Sequence, residues 1–225
     1  MERQYDFDVI VNHRNTNCGR WDTMDKKYGK SDMIHLGVAD MDFKAPEEIR
    51  NALHDVLDMG VLGYTDLSDK FFTIPGVIVS YMIILNEKLR KMIEVDIDRI
   101  GMHNPTIFAV TAVEKAYTEC DDWYEAVKKY IDDNETFTRD FFAEYFPEFH
   151  IYPREGTYLL WIDYEKTGLK EQQLEEWFLE KANVSVYMGS VFGENGNGCI
   201  RLNLASPRPM LEEAYNRMLN VWKNW

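Results

Sequence analysis

The stretch from Gly189 to Arg208, Gly-Ser-Val-Phe-Gly-Glu-Asn-Gly-Asn-Gly-Cys-Ile-Arg-Leu-Asn-Leu-Ala-Ser-Pro-Arg, constrains this chain more than any other. A glycine-rich loop feeds an apolar run centred on Arg201-Leu202-Asn203, and Pro207-Arg208 then opens a helix. Because a strand follows Gly193, Gly196 and Gly198 where a helix would be required, they are not a dinucleotide fingerprint. The preceding residues alternate in type. His150–Tyr152, Thr157–Ile162, Val184–Tyr187 and Ile200–Leu204 read as strands. Leu169–Lys181 reads as an amphipathic helix and Pro209–Trp225 as a closing helix. Strands with helices on one side predict an α/β (α+β) layer, with Tyr158, Leu160 and Ile162 facing Ile200, Leu202 and Leu204 or their alternates.

The first half is less regular. Residues 1–35 are polar and punctuated by Asn15, Asn17 and Gly19, which predicts an extended arm. Ile34–Val38 is a short apolar run and Ala39–Phe43 a loop. Pro46 opens a helix through Leu57, which Gly60 stops. Val77–Leu85 has the composition of a strand buried on both faces, yet residues 1–100 supply almost none of the parallel neighbours it needs. Something that ought to flank it is missing. Pro105 begins the longest helical stretch, with Ile107, Val110, Val113 and Tyr117 on one face. Trp123, Val127 and Ile131 continue that face after a break near Cys120. Phe137, Phe141 and Tyr145 predict a further helix, ended by Pro147.

With 225 residues, 45% of them apolar, the chain can bury a sizeable core. Its 39 acidic against 25 basic residues give a net charge of −14, which repels phosphate backbones and excludes nucleic acid as a partner. Cys18, Cys120 and Cys199 form no CxxC pair and suit a reducing compartment. The first residues have no apolar leader core, and the run Ile74–Leu85 is too short and too interrupted to span a bilayer. A soluble, cytoplasmic protein without a membrane partner is expected. The histidines His13, His35, His54, His103 and His150 have no metal-ligand spacing.

As a whole the pattern from Gly189 to Arg208 resembles the small domain of fold-type-I pyridoxal-phosphate (PLP) enzymes. In that family the arginine matching Arg201 grips the substrate α-carboxylate, a task suited to a planar guanidinium. Arg20-Trp-Asp, Val38-Ala-Asp-Met-Asp-Phe43 with Pro46, and Gly63-Tyr64-Thr65 resemble the cystathionine β-lyase-like branch, whose members cleave carbon–sulfur bonds and sometimes transaminate. The resemblance assigns Tyr64 to the cofactor phosphate across a homodimer. Ile74–Leu85 resembles the strand after the family's Schiff-base lysine, and Lys70, Phe72, Ile74 and Pro75 match the approach to it. Asp69, Phe71 and Thr73 depart from that pattern, and the same residues also read as the continuation of the Gly63-Tyr64-Thr65 block.

No match is found between Tyr64 and Ile74 for the family's phosphate cup, its ring stacked on the pyridine, its Asn-Pro-x-Gly loop or the aspartate that keeps the pyridine nitrogen protonated. The resemblance therefore implies a small domain plus N-terminal arm, with a fragment of the large domain. Its divisions are an arm and small-domain segment over 1–72, a residual large-domain strand and helix over 73–100, and an interdomain helix with the C-terminal small domain over 101–225. The implied activity is β-elimination from cystathionine-like amino acids to pyruvate, ammonia and thiol, with PLP as cofactor. Two readings stand: an enzyme of this branch impaired by an internal deletion, and a non-catalytic remnant that folds and self-associates without PLP.

Overall fold

The computed structural model describes residues 5–16, 18–59, 84–100 and 107–222. Two compact units emerge, Met1–Lys44 with Ala126–Trp225, and Ala45–Glu125.

The larger unit is built on an antiparallel four-stranded sheet in the order β2 (His150–Ile151), β3 (Leu159–Asp163), β6 (Cys199–Asn203), β5 (Tyr187–Met188). Leu160 pairs with Leu202 and Ile162 with Ile200, so their side chains share one face, where all four are fully buried. The alternate residues Trp161 and Arg201 pair on the other face and are half-buried. The expected β3–β6 facing is therefore observed. A short parallel pair, β1 (Ile34–His35) with β4 (Val184–Ser185), lies in a second sheet. The predicted strand Val184–Tyr187 divides at Val186, β4 serving one sheet and β5 the other.

Helix α7 (Arg208–Trp222) buries Leu211, Ala214, Tyr215 and Met218, a stripe at helical spacing. The long helix α5 (Asp121–Tyr145) buries Val127, Ile131, Asn134, Thr138 and Phe142. Aromatic side chains fill the core between them. The Phe142 ring meets Tyr215 edge-on at 5.7 Å, and Trp177 meets Trp222 at 5.1 Å. The buried Tyr215 hydroxyl lies 2.8 Å from Thr138 Oγ1, and burial pushes its pKa up. Helix α6 (Glu171–Glu176) runs into a π-helical turn, Trp177–Ala182, which ends on left-handed Asn183 at φ 54°.

Two sequence expectations are corrected here. No separate helix begins near Phe137, because nothing between Asp132 and Thr136 breaks α5. Asn134, which could have capped a new helix, instead turns inward and donates to the carbonyls of Leu204 and Ser206 at 2.9 and 3.0 Å. Nor are residues 1–35 extended throughout. Gly19–Thr23 forms a π-helical turn continued by α1 (Met24–Tyr28), and Arg20 is 1% exposed.

In the smaller unit α2 (Glu47–Asp58) packs on α4 (Ile107–Glu119), with Ala52, Val56, Ala109, Ala112 and Val113 buried. α3 (Glu87–Ile100) leaves Leu89, Met92, Val95 and Ile100 exposed. The break between α4 and α5 falls at Cys120, as expected. The predicted stop at Gly60, His103, and Val77–Ile83 of the predicted strand lie outside the described residues; Ile84 and Leu85 are neither helix nor strand. No described helix is long and apolar enough to cross a membrane, and the described residues contain no cluster of metal-ligating side chains.

Candidate functional site

Register places Arg201 between Trp161 of β3 and Tyr187 of β5, on the sheet face opposite the Leu160–Leu202 core. The chain reaches this face through a loop that only glycine permits. Between β5 and β6 it makes two 3₁₀ turns, Gly189–Phe192 and Glu194–Gly196. A Cβ on Gly189 would lie 2.0 Å from the Gly196 carbonyl oxygen, and a Cβ on Gly196 would meet the Gly189 oxygen at the same distance. Gly193, at φ 113°, reverses the chain between the turns.

This loop lays the Phe192 ring over Arg201. The guanidinium carbon lies 4.3 Å from the Phe192 centroid and 5.2 Å from that of Tyr187. Phe192 also meets Trp161 and Tyr187 edge-on, at 5.6 and 6.1 Å. Arg201 donates from Nη2 to the Gly37 carbonyl at 3.1 Å, whereas its Nε is buried without a hydrogen-bond partner. Burial pulls the guanidinium pKa below the ordinary arginine value, and the phenols of Tyr187 and Tyr158 oppose that shift. An arginine held by aromatic faces, with an unsatisfied N–H and no carboxylate partner among the described residues, is suited to receive an external carboxylate.

Asn203 fixes the neighbouring segment. Its backbone N–H donates to the Leu36 carbonyl at 2.9 Å, and its side chain donates to the carbonyls of Val38 and Asp40, both at 2.7 Å. Arg20 ties down the same segment from below. It donates to the His35 carbonyl at 2.8 Å, the Asp40 carbonyl at 3.1 Å and Ser206 Oγ at 2.7 Å. Its Nε also lies 3.3 Å from Asp42 Oδ2, and Trp21 donates to Asp42 Oδ1. The Arg20-Trp21-Asp22 and Val38–Phe43 motifs are thus joined physically, through Arg20, Trp21 and Asp42. Nearby, His35 bridges Ser185 Oγ at 2.9 Å and Asp25 Oδ1 at 3.0 Å.

Of the residues singled out in the sequence, the structure places Arg201; Tyr64 and Lys70 lie outside the described residues. Phe192, Tyr187 and Trp161 were missed, because aromatic residues in the sequence were read as core. The signal that could have found them is the spacing of Tyr187 and Phe192 around a glycine-rich turn that returns to Arg201.

The described residues fit a substrate carboxylate and do not fit the cofactor that the resemblance implies. Arg201's only listed electrostatic neighbours are the Tyr187 and Tyr158 phenols, with no lysine among them. Described lysines such as Lys30, Lys91 and Lys129 pair with acidic residues elsewhere. The glycine loop turns two of its own segments against each other and forms no open cradle for a phosphate. A cavity of about 190 Å³ lined by Ile10, Arg14, Trp21, Met33, His35 and Met210 does not include Arg201. Its Arg14 is paired with Asp25, and its lining is otherwise largely apolar.

No protein-family model matches the sequence. The protein MalY of Escherichia coli is 32% identical over 153 residues, covering 68% of this chain and 39% of that protein. The cystathionine β-lyase PatB of Bacillus subtilis is 29% identical over 149 residues, covering 66% and 38%. These matches span about two fifths of each curated relative. Among solved structures, PLP-containing cystalysin from Treponema denticola aligns with a TM-score of 0.85 at 19% identity, along 99% of this chain and 100% of that one. The PLP-bound C–S lyase of Staphylococcus hominis aligns with a TM-score of 0.80 at 17% identity, along 97% and 98%. At those identities the structural likeness establishes the fold.

Proposed function

We propose, for this chain of the cystathionine β-lyase-like branch of the fold-type-I PLP-dependent enzymes, that it carries the substrate-carboxylate side of a C–S lyase site and does not by itself complete the reaction. The observation that carries this reading is Arg201: half-buried, clamped by Phe192 and Tyr187, and left with an unsatisfied Nε. In whole enzymes of the branch, bound PLP supplies an electron sink for cleavage of the Cα–H bond and loss of thiolate from Cβ. Arg201 contributes orientation: a two-pronged grip on the carboxylate limits rotation about the Cα–carboxyl axis. Asn203 and Arg20 keep the Gly37–Asp40 segment against that site.

In this reading most of the central cofactor-binding segment is absent, and the junction falls within residues 66–74. Residues 1–72 are the arm and part of the small domain, 73–100 a remainder of the large domain, and 101–225 the interdomain helix and small domain. The short share of each relative matched and the absence of cofactor-binding motifs between Tyr64 and Ile74 support it. The amino-acid ligand, the cytoplasmic location and self-association as a homodimer belong to the same proposal. A clean monomer in sedimentation at high concentration would refute the last.

The test is titration with PLP, borohydride reduction and peptide mapping, beside a pyruvate assay with cystathionine. Label spread over exposed lysines is expected, with no pyruvate above that from free PLP. Stoichiometric label on Lys70, with pyruvate release lost in Lys70→Ala and weakened in Arg201→Ala, would overturn the reading.

A further inference from the structure

We infer that Phe192 is a positioning and specificity-determining residue of the Arg201 site, and that it selects monocarboxylates bearing an apolar or aromatic group over dicarboxylates. This rests on the reading of Arg201 as a carboxylate site. A long, flexible arginine side chain is usually immobilised by carboxylates, which also occupy its hydrogen-bonding edge. Here the immobilising groups are π faces. Phe192 lies over the guanidinium at 4.3 Å and Tyr187 at 5.2 Å, while Gly37 takes one N–H. The clamp fixes the plane of the guanidinium without neutralising it, and Nε remains without a partner.

The wall around that edge is apolar and open. Phe192 is 47% exposed and its neighbour Val191 is 68% exposed, although both are large hydrophobic residues on a tightly constrained turn. An apolar substituent next to a bound carboxylate would cover this surface and remove it from water. A second carboxylate would instead meet the electron-rich ring faces of Phe192, Tyr187 and Trp161. Nothing cationic offsets that repulsion: the groups acting electrostatically on Arg201 are the phenols of Tyr187 and Tyr158. The nearby Arg20 is buried, with its N–H groups taken up by His35, Asp40 and Ser206.

The side-chain Nε–Hε resonance of Arg201, assigned by its loss in Arg201→Lys, reports the site directly in the ¹⁵N-labelled full chain. Titration with 3-phenylpropanoate is expected to shift it saturably, and succinate to bind about tenfold more weakly. Phe192→Leu, at an exposed loop position, is expected to weaken 3-phenylpropanoate binding by roughly three- to thirtyfold and to erase the preference. Phe192→Tyr, which keeps the π face, is expected to retain both. Unchanged affinity and preference in Phe192→Leu, or equal binding of succinate by the parent chain, would overturn the inference while leaving a carboxylate site at Arg201. If no carboxylate moved the Arg201 resonance, the carboxylate reading itself would fail and this inference with it.

Discussion

Replacing Arg20 by methionine removes a charge from one of the most enclosed positions in the molecule and keeps much of the side-chain volume. Arg20 is 1% exposed and Asp42 2%. The substitution deletes hydrogen bonds to the His35 and Asp40 carbonyls and to Ser206 Oγ, together with the Asp42 ion pair at 3.3 Å. What remains is worse than a missing contact, because the Asp42 carboxylate keeps only the Trp21 indole N–H at 3.3 Å as a side-chain donor. Removing one partner of a buried pair costs about 3–5 kcal/mol, chiefly the desolvation of the charge left behind. The orphaned carbonyls would add to this, and burial of the methionine would offset part of it. A net loss of about 3–5 kcal/mol is expected in urea unfolding followed by tryptophan fluorescence. Removing the second charge should recover part of it, so Arg20→Met/Asp42→Asn should be more stable than the two single losses predict, by about 1.5 kcal/mol or more. Lysine at position 20 should not restore stability, since an ammonium cannot fan out to acceptors lying in the guanidinium plane. A loss below about 1 kcal/mol in Arg20→Met, or strict additivity in the double variant, would refute the idea that this pair anchors the Val38–Phe43 segment.

Two further expectations concern the same unit. Leu160→Ala and Leu202→Ala, each at a fully buried position, should cost about 2–5 kcal/mol apiece and combine less than additively, because the two residues are register partners; melting temperatures equal to the parent's would contradict the assigned core. His35 should make stability fall with acid. Burial lowers its pKa below the ordinary 6.5, against the opposing hydrogen bond and charge of Asp25 and with help from Arg20 and Arg14. The unfolded chain therefore binds a proton first as pH drops, so the His35 contribution is present above about pH 6.5 and is lost as pH falls toward the folded-state value. Urea titrations between pH 5 and 8 should show a shallower slope in His35→Gln; an unchanged slope would show that His35 is not the titrating group.

Local pattern alone was enough for much of the larger unit. The alternation Ile200, Arg201, Leu202 against Leu160, Trp161, Ile162 specified which side chains enter the core, since a strand presents successive residues to opposite faces. The stripe Leu211, Ala214, Tyr215, Met218 specified the buried face of α7 in the same way. Arg201 stood out because its neighbours formed a recognisable pattern. Where competing local signals were balanced, the sequence reading failed. Asn134 offers both a cap and a buried amide, and only the nearness of the Leu204 and Ser206 carbonyls decides between them. Val186 separates two strands because residues 34 and 35 pair on one side of it and residues 200 and 201 on the other, a choice made by segments distant along the chain.

By itself the sequence determined the kind of molecule: an acidic chain whose C-terminal half must fold as strands and helices around Leu160, Leu202 and their neighbours. It also determined that Arg201 would stand on a strand between glycine-rich loop and helix. Tertiary structure decided what surrounds that arginine. The ring of Phe192 reaches it because Gly189 and Gly196 let two backbones touch, and Tyr187 and Trp161 flank it because antiparallel register sets them opposite. Periodicity along a chain records which way each side chain points, whereas the partner it meets depends on segments more than a hundred residues away, such as Gly37 beneath Arg201.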